Sequence, residues 1–222
     1  GERVFGRFNM KRSKACVLPN AIDSEKFCFD ARTRAEVRRE LGVEDNFVVG
    51  MVGRLSDQKN YGKALDIMKA YRKTNPNAIL LCAGNGELEN VIRKWILENK
   101  MSSYVRLLGR RADVNRLYMA FDILLMPSKF EGFPVAAVEA IGEGLPVLLS
   151  DTITKELKNC RNVFYLPLHD TRPWLDKLEL VSGQDMTDRS YGREQLKKNG
   201  LDIHDTAKQL ENIYLKFGAE VR

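Results

Sequence analysis

PSKFEGFPVAAVEAIGEG, residues 127–144, is the stretch on which the fold turns. An apolar run, Ile123-Leu124-Leu125-Met126, stops at Pro127, and the polar segment from Ser128 to Gly132 follows it. Pro134 suits the first turn of a helix, where its missing N–H would be unpaired anyway. A second apolar run, Pro146-Val147-Leu148-Leu149, begins soon after Gly144. The segment therefore reads as strand, loop, short helix and next strand, and parallel units of this kind place ligands at the carboxyl ends of their strands. Glu131 in the loop and Glu139 on the helix bracket a helix N-terminus, whose free N–H groups and dipole favour an anion. Carboxylates beside such an end suit a ligand that carries both phosphate and hydroxyl groups.

The same rhythm extends in both directions. Phe47–Val52 is a buried-type strand ending at Gly53-Arg54, followed by a polar loop with Lys59 and a helix from Tyr61 to Lys73. Ala78–Ala83 ends at Gly84-Asn85-Gly86 before a helix from Leu88 to Asn99, and Tyr104–Leu108 ends at Gly109 before a helix from Val114 to Phe121. Val147–Leu149 leads into a helical Ile153–Lys158, and Val163–Leu166 is a last short strand. Upstream, Ala15–Leu18 reads as a short strand and Arg34–Leu41 as a charged helix stopped by Gly42. From Trp174 onward only helices are expected: Trp174–Val181, Arg189–Lys198 and Asp205–Phe217. About six strands alternating with helices make an α/β domain, a parallel sheet covered on both faces with a helical tail.

Composition limits the partners. The 222 residues are 44% hydrophobic and 30% charged, enough for a sizeable core, and the formal net charge is +6. That balance admits nucleic acid, anionic lipid and phosphorylated small molecules. No helix-turn-helix, zinc-finger or basic-aromatic array is present, which argues against nucleic acid. There is neither a GxGxxG nor a GxxxxGK[ST] pattern. No apolar run approaches the roughly 20 residues needed to span a bilayer, and the basic start lacks a signal peptide's apolar centre. These features set the expectation of a cytoplasmic location, extending to the inner face of a membrane. The first residue, Gly1, suggests that the chain begins inside a longer protein or carries an added residue. Cys16, Cys28, Cys82 and Cys160 have no paired short spacing, so free thiols and no metal site are expected, and His169 and His204 read as surface residues.

Four strand ends thus gather on one sheet edge: Gly53-Arg54, Gly84-Asn85-Gly86, Gly109-Arg110-Arg111, and Ser128 through Pro134. Arg54 and Lys59 together could hold two phosphates, one by a fork and one as a point charge. Glu139 lies in an otherwise apolar helix, where an ionised carboxylate needs a partner, either a ligand hydroxyl or a cation such as Arg54.

These motifs, in this order, resemble the family 4 retaining glycosyltransferases of the GT-B fold: Gly53-Arg54-Leu55 with Lys59, Gly84-Asn85-Gly86, Leu108-Gly109-Arg110, Pro127-Ser128, and Glu131-Gly132-Phe133-Pro134 through Glu139-Ala140. Leu18–Asp23 is similar to that family's domain-linking PNGVD segment, with Ala21 where glycine is common, and Ser150–Glu156 resembles its capsular and exopolysaccharide branch. The resemblance implies one half of a GT-B fold, a Rossmann-like sheet, with residues 1–24 as linker from an N-terminal acceptor domain and 25–222 as the donor-binding domain. It implies metal-independent transfer, without a cofactor, from a nucleotide sugar, with UDP as the expected carrier, to a saccharide or lipid-linked acceptor, in peripheral contact with a membrane.

By the same resemblance Arg54, Lys59 and Glu131 are the catalytic positions. Arg54 and Lys59 would take the diphosphate, Glu131 the sugar hydroxyls, and the backbone from Gly132 through Phe133 and Pro134 to Val135 the diphosphate and sugar. Glu139 would hold the ribose and Arg110-Arg111 would lie beside the base, with Gly53, Asn85, Gly86 and Ser128 completing the donor-binding set. Tyr61 stands where histidine often follows the Lys-Asn pair. The rival readings are a sugar-nucleotide epimerase of the same fold and a non-catalytic nucleotide-sugar-binding module.

Overall fold

The computed structural model describes residues 18–184 and 188–219. Of the expected strand Ala15–Leu18 only Leu18 falls among them, and it belongs to no strand; Cys16 and the basic start lie outside the described residues. The elements in chain order are α1 (Ala31–Leu41), β1 (Phe47–Val52), α2 (Tyr61–Tyr71), β2 (Ala78–Ala83), α3 (Glu89–Glu98), β3 (Val105–Gly109), α4 (Val114–Ala120) and β4 (Ile123–Met126). There follow α5 (Val135–Gly142), β5 (Val147–Ser150), β6 (Val163–Leu166), α6 (Arg172–Ser182), α7 (Tyr191–Lys198) and α8 (Ile203–Ala219). All six strands pair in parallel in the order β3-β2-β1-β4-β5-β6. That is the doubly wound arrangement, and the strand order reverses between β1 and β4.

Alternate residues of each strand enter opposite cores, as a sheet covered on both faces requires. Val48, Ile79, Leu81, Leu124 and Met126 pack with α4 and α5, while Val49, Leu80, Cys82, Ile123 and Leu125 pack with α2, α3 and α6. The central strands β1, β2 and β4 consequently carry no polar side chain. Cys82 and Cys160 are buried free thiols and Cys28 an exposed one.

One helical expectation fails. Residues 151–160 form successive turns, although Ile153 and Leu157 have helical spacing and are both buried. The Ser150 and Thr152 hydroxyls donate to the Ser128 carbonyl and the Tyr165 hydroxyl donates to the Thr154 carbonyl. These side-chain bonds to backbone compete with a helix, and tertiary packing buries the two apolar residues without one.

Helix α1 also starts earlier than expected, at Ala31, because Asp30 caps it by accepting from the Thr33 N–H at 2.7 Å. Two of its arginines, Arg34 and Arg38, are turned inward, whereas Arg32 and Arg39 are exposed. Arg34 donates to the carbonyls of Met119 and Phe121, Arg38 to those of Ala120, Glu44 and Asn46, and Arg189 to that of Phe121. Three guanidinium groups therefore satisfy the carbonyls at the end of α4, which a helix terminus leaves without intrahelical partners. Asp122 balances them, accepting from Arg34 at 2.5 Å, Arg38 at 3.2 Å and the Val48 N–H at 2.7 Å, with Arg189 at 3.8 Å.

Behind α5 lies Glu143, fully buried, with no hydrogen-bond partner for either carboxylate oxygen among the described residues. Burial pushes its carboxyl up to about 8, against the opposing pull of nearby Arg189. A carboxyl whose folded pKa exceeds its unfolded value keeps its stabilising contribution below the unfolded pKa and loses it as pH rises toward the folded one. Stability should therefore fall by a few kcal/mol between about pH 5 and 8, each pK unit being worth about 1.4 kcal/mol. Urea denaturation across that range should show Glu143→Gln with a flatter profile; an unchanged slope would remove Glu143 as its source.

Candidate active site

The reversal between β1 and β4 leaves a crevice at their carboxyl ends, and the two loops that leave these strands meet there. The β1 loop carries a short 3-10 turn, Asp57–Lys59, which Asn60 closes at φ 52 before capping α2 with its side chain. The β4 loop runs from Pro127 to Pro134.

Five bonds join these loops across 72 residues of sequence or nearly so. Lys129 Nζ lies 2.6 Å from Asp57, and its N–H donates to the Gln58 carbonyl at 2.8 Å. Gln58 Nε2 donates to the Phe130 carbonyl at 2.9 Å and to Glu131 Oε2 at 3.3 Å. Lys59 Nζ lies 2.6 Å from Glu131 Oε1, with both side chains largely shielded. Glu131 thus has one oxygen on an ammonium and the other on an amide. Gln58 is a residue that sequence reasoning missed; its place beside Lys59 was the only signal.

The β1 and β2 exits form a second layer. The Gly53 N–H donates to the Ala83 carbonyl, the Leu55 N–H to that of Asn85 and the Leu88 N–H to that of Leu55, each at 3.0 Å. Gly84 sits at φ +140, and a Cβ there would meet the Gly53 carbonyl oxygen at 1.9 Å. Its glycine is thus required by loop against loop, not by a ligand. Tyr61, buried, donates its hydroxyl to the Gly53 carbonyl at 3.1 Å, so it supports the loop from beneath.

Helix α5 begins at Val135, with Pro134 in the N-cap position and no side chain capping it. The N–H groups of Gly132, Phe133 and Ala136 have no acceptor among the described residues, whereas that of Val135 is turned onto the Phe133 carbonyl at 3.0 Å. The Val135 amide is therefore engaged within the loop, whereas that of Ala136 is open. Gly132 has open space on all sides of its would-be Cβ.

Other expected positions divide. Arg54 is exposed and pairs with Glu87 at 3.0 Å, so it is not the partner of Glu139. That partner is Tyr118, whose hydroxyl donates to Glu139 Oε2 at 2.8 Å. Burial raises the Glu139 carboxyl above the usual range, and the Tyr118 bond and the Lys26 charge oppose that shift. Arg111 is tied to Asp113 by two bonds of 2.8 and 2.6 Å, which hold the Asp113 carboxyl below its ordinary value, while Arg110 and Asn85 are exposed. Ser128 is fully buried; its carbonyl anchors the residue 150–152 turn, while its own hydroxyl has no hydrogen-bond partner among the described residues. Phe130, at 61% exposed, is the apolar tip of the loop.

Among the described residues one trio, Asp23, Glu25 and His204, brings three ligand-capable atoms within 4.8 Å of one another. All are exposed or half-buried and otherwise engaged: Asp23 accepts from two backbone amides and Glu25 pairs with Arg193 at 3.1 Å. It lies outside the crevice residues and has no buried polar group to mark a bound ion. No described helix is long and apolar enough to cross a membrane.

Six parallel strands with a lysine–carboxylate pair and open amides at the switch point define a Rossmann-like α/β domain with its candidate site at the strand carboxyl ends. Residues 33–156 match the model of the glycosyl transferases group 1 family, and the chain belongs to that family. It is 30% identical over 217 residues to the putative glycosyltransferase EpsF of Bacillus subtilis, covering 96% of this chain and 56% of that protein. It is 29% identical over 210 residues to UDP-Gal:alpha-D-GlcNAc-diphosphoundecaprenol alpha-1,3-galactosyltransferase of Escherichia coli, covering 91% and 54%. Among solved structures, Anabaena HepE in complex with UDP superposes with a TM-score of 0.79 at 20% identity, covering 90% of this chain and 57% of that one. The chain spans about half the length of these relatives.

Proposed function

We propose that this chain is the donor-binding domain of a retaining, metal-independent glycosyltransferase that takes its sugar from a nucleotide sugar, with UDP as carrier. The observation that carries the reading is the meeting of Lys59, Glu131 and the open amides of Gly132, Phe133 and Ala136 at the β1–β4 switch point. Lys59, with Arg54 swinging from its exposed pair, holds the diphosphate and stabilises its growing charge as the glycosidic bond breaks. The open amides at the start of α5 take further phosphate and sugar oxygens. Glu131 accepts sugar hydroxyls and Glu139 those of the ribose; Arg110 and Arg111 flank the base. The carboxylates bind and do not act as the acid and nucleophile of a hydrolase. Transfer needs a second domain that carries the saccharide or lipid-linked acceptor, with residues 18–24 as part of the linker. The galactosyltransferase relative, which uses UDP-Gal, and the structural neighbour in complex with UDP support this reading over an epimerase.

Calorimetric titration with UDP, CDP and GDP tests it: one should bind, and failure of all three removes the enzyme readings. Glu131→Gln separates the roles further. Without donor, Glu131 neutralises Lys59, so its loss should strengthen UDP binding by roughly fivefold, the worth of about 1 kcal/mol of relieved charge competition. The same substitution should erase any preference for UDP-sugar over UDP. A variant that keeps this preference would take Glu131 off the sugar.

A further inference from the structure

Tyr118 stands in the last turn of α4, fully buried, with its ring wedged edge-on against Phe27 at 6.2 Å and Phe121 at 6.0 Å. A phenylalanine would fill that space as well, and a buried hydroxyl is a cost unless it finds a partner. The partner here is a carboxylate oxygen, Glu139 Oε2, at 2.8 Å, while Oε1 has none among the described residues. The phenol stays protonated, because burial and the neighbouring carboxylates push its pKa far up. It is therefore a permanent donor.

A glutamate carries three rotatable bonds, and ordering such a side chain when a ligand arrives is unfavourable. Tying Oε2 to a ring that cannot move removes that freedom beforehand. The carboxylate is then held with one oxygen occupied and the other available as an acceptor.

We infer that Tyr118 is a positioning residue for nucleoside recognition, presetting Glu139 so that Oε1 accepts a ribose hydroxyl of the bound nucleotide; this rests on the donor-binding reading given above. Tyr118 touches no ligand itself. Its effect should appear only on ligands that possess the hydroxyls it helps to bind, which a merely structural tyrosine would not produce.

The experiment compares UDP with 2′,3′-dideoxy-UDP by calorimetry, on the protein and on Tyr118→Phe, with thermal melting as the check on folding. The substitution should weaken UDP by about 5- to 10-fold, the loss of one charge-assisted support. It should change the dideoxy compound by less than about twofold, and it should have no further effect when Glu139 is already alanine. Equal losses for both nucleotides, or full UDP affinity in Tyr118→Phe, would overturn the inference. Should that variant not fold, Phe27→Leu, which frees the ring but keeps the hydroxyl, should give the same UDP-selective loss, and a non-selective one counts against it. If the unsubstituted protein binds no nucleoside diphosphate, the donor-binding reading itself falls, which is a different result from a silent Tyr118→Phe.

Discussion

Lys59→Ala should lower turnover of the intact glycosyltransferase by about 100- to 1000-fold, or roughly 2–4 kcal/mol of barrier, the usual effect of deleting one preorganised charge stabiliser. The ammonium is already in place, largely shielded and 2.6 Å from Glu131. A diphosphate that enters the crevice gains a charge whose desolvation has been met during folding. Removing it also leaves Glu131 with Gln58 alone among the described residues, so that carboxylate loses its counter-charge. Arg54→Ala should fall in the same range for the chemical step, yet differ in one respect. Among the described residues Arg54 pairs with exposed Glu87 alone, so its removal should leave stability unchanged. Steady-state kinetics and urea denaturation of both variants provide the test. Unchanged turnover in either would take that residue out of the mechanism.

Asp122→Ala should destabilise the protein by about 3–5 kcal/mol, because it strips one carboxylate from a cluster of buried or partly buried arginines. The Arg189 side chain is fully buried and that of Arg38 only 10% exposed. Their bonds to the α4 carbonyls satisfy donors without cancelling charge, and Asp122 supplies that cancellation. Asp122→Asn, which keeps an acceptor for the Val48 N–H, should cost less. The cluster sits at the amino end of β4 and the candidate site at the carboxyl end, so UDP affinity of the folded fraction should not move. A loss below about 1 kcal/mol in denaturation would mean that the carbonyls alone hold the arginines.

Much of the fold was readable because its signals are local. The apolar runs at residues 47–52, 78–83 and 123–126, each ended by glycine or proline, mark strands buried on both faces, and the match to β1, β2 and β4 follows from that burial. Residues 153–158 misled for the converse reason. Ile153 and Leu157 obey helical spacing, but their burial comes from contacts with distant residues, and Ser150 and Thr152 spend their hydroxyls on the Ser128 carbonyl. The run ARTRAEVRREL likewise carries no sign of the partners of Arg34 and Arg38, which exist only once the end of α4 is brought beside it.

The order of the motifs along the chain was enough, by itself, to place this protein among glycosyltransferases and to mark Arg54, Lys59, Glu131 and Glu139, since family resemblance and strand-end position are both properties of one-dimensional sequence. Which of these residues act on one another was decided only in three dimensions. The switch of strand order between β1 and β4 sets Lys59 on Glu131, gives Gln58 the second oxygen, turns Arg54 outward to Glu87 and leaves Glu139 to Tyr118. Hydrogen bonds and ion pairs act over a few ångströms, and no spacing along the chain reports a distance that the crossover of a sheet creates.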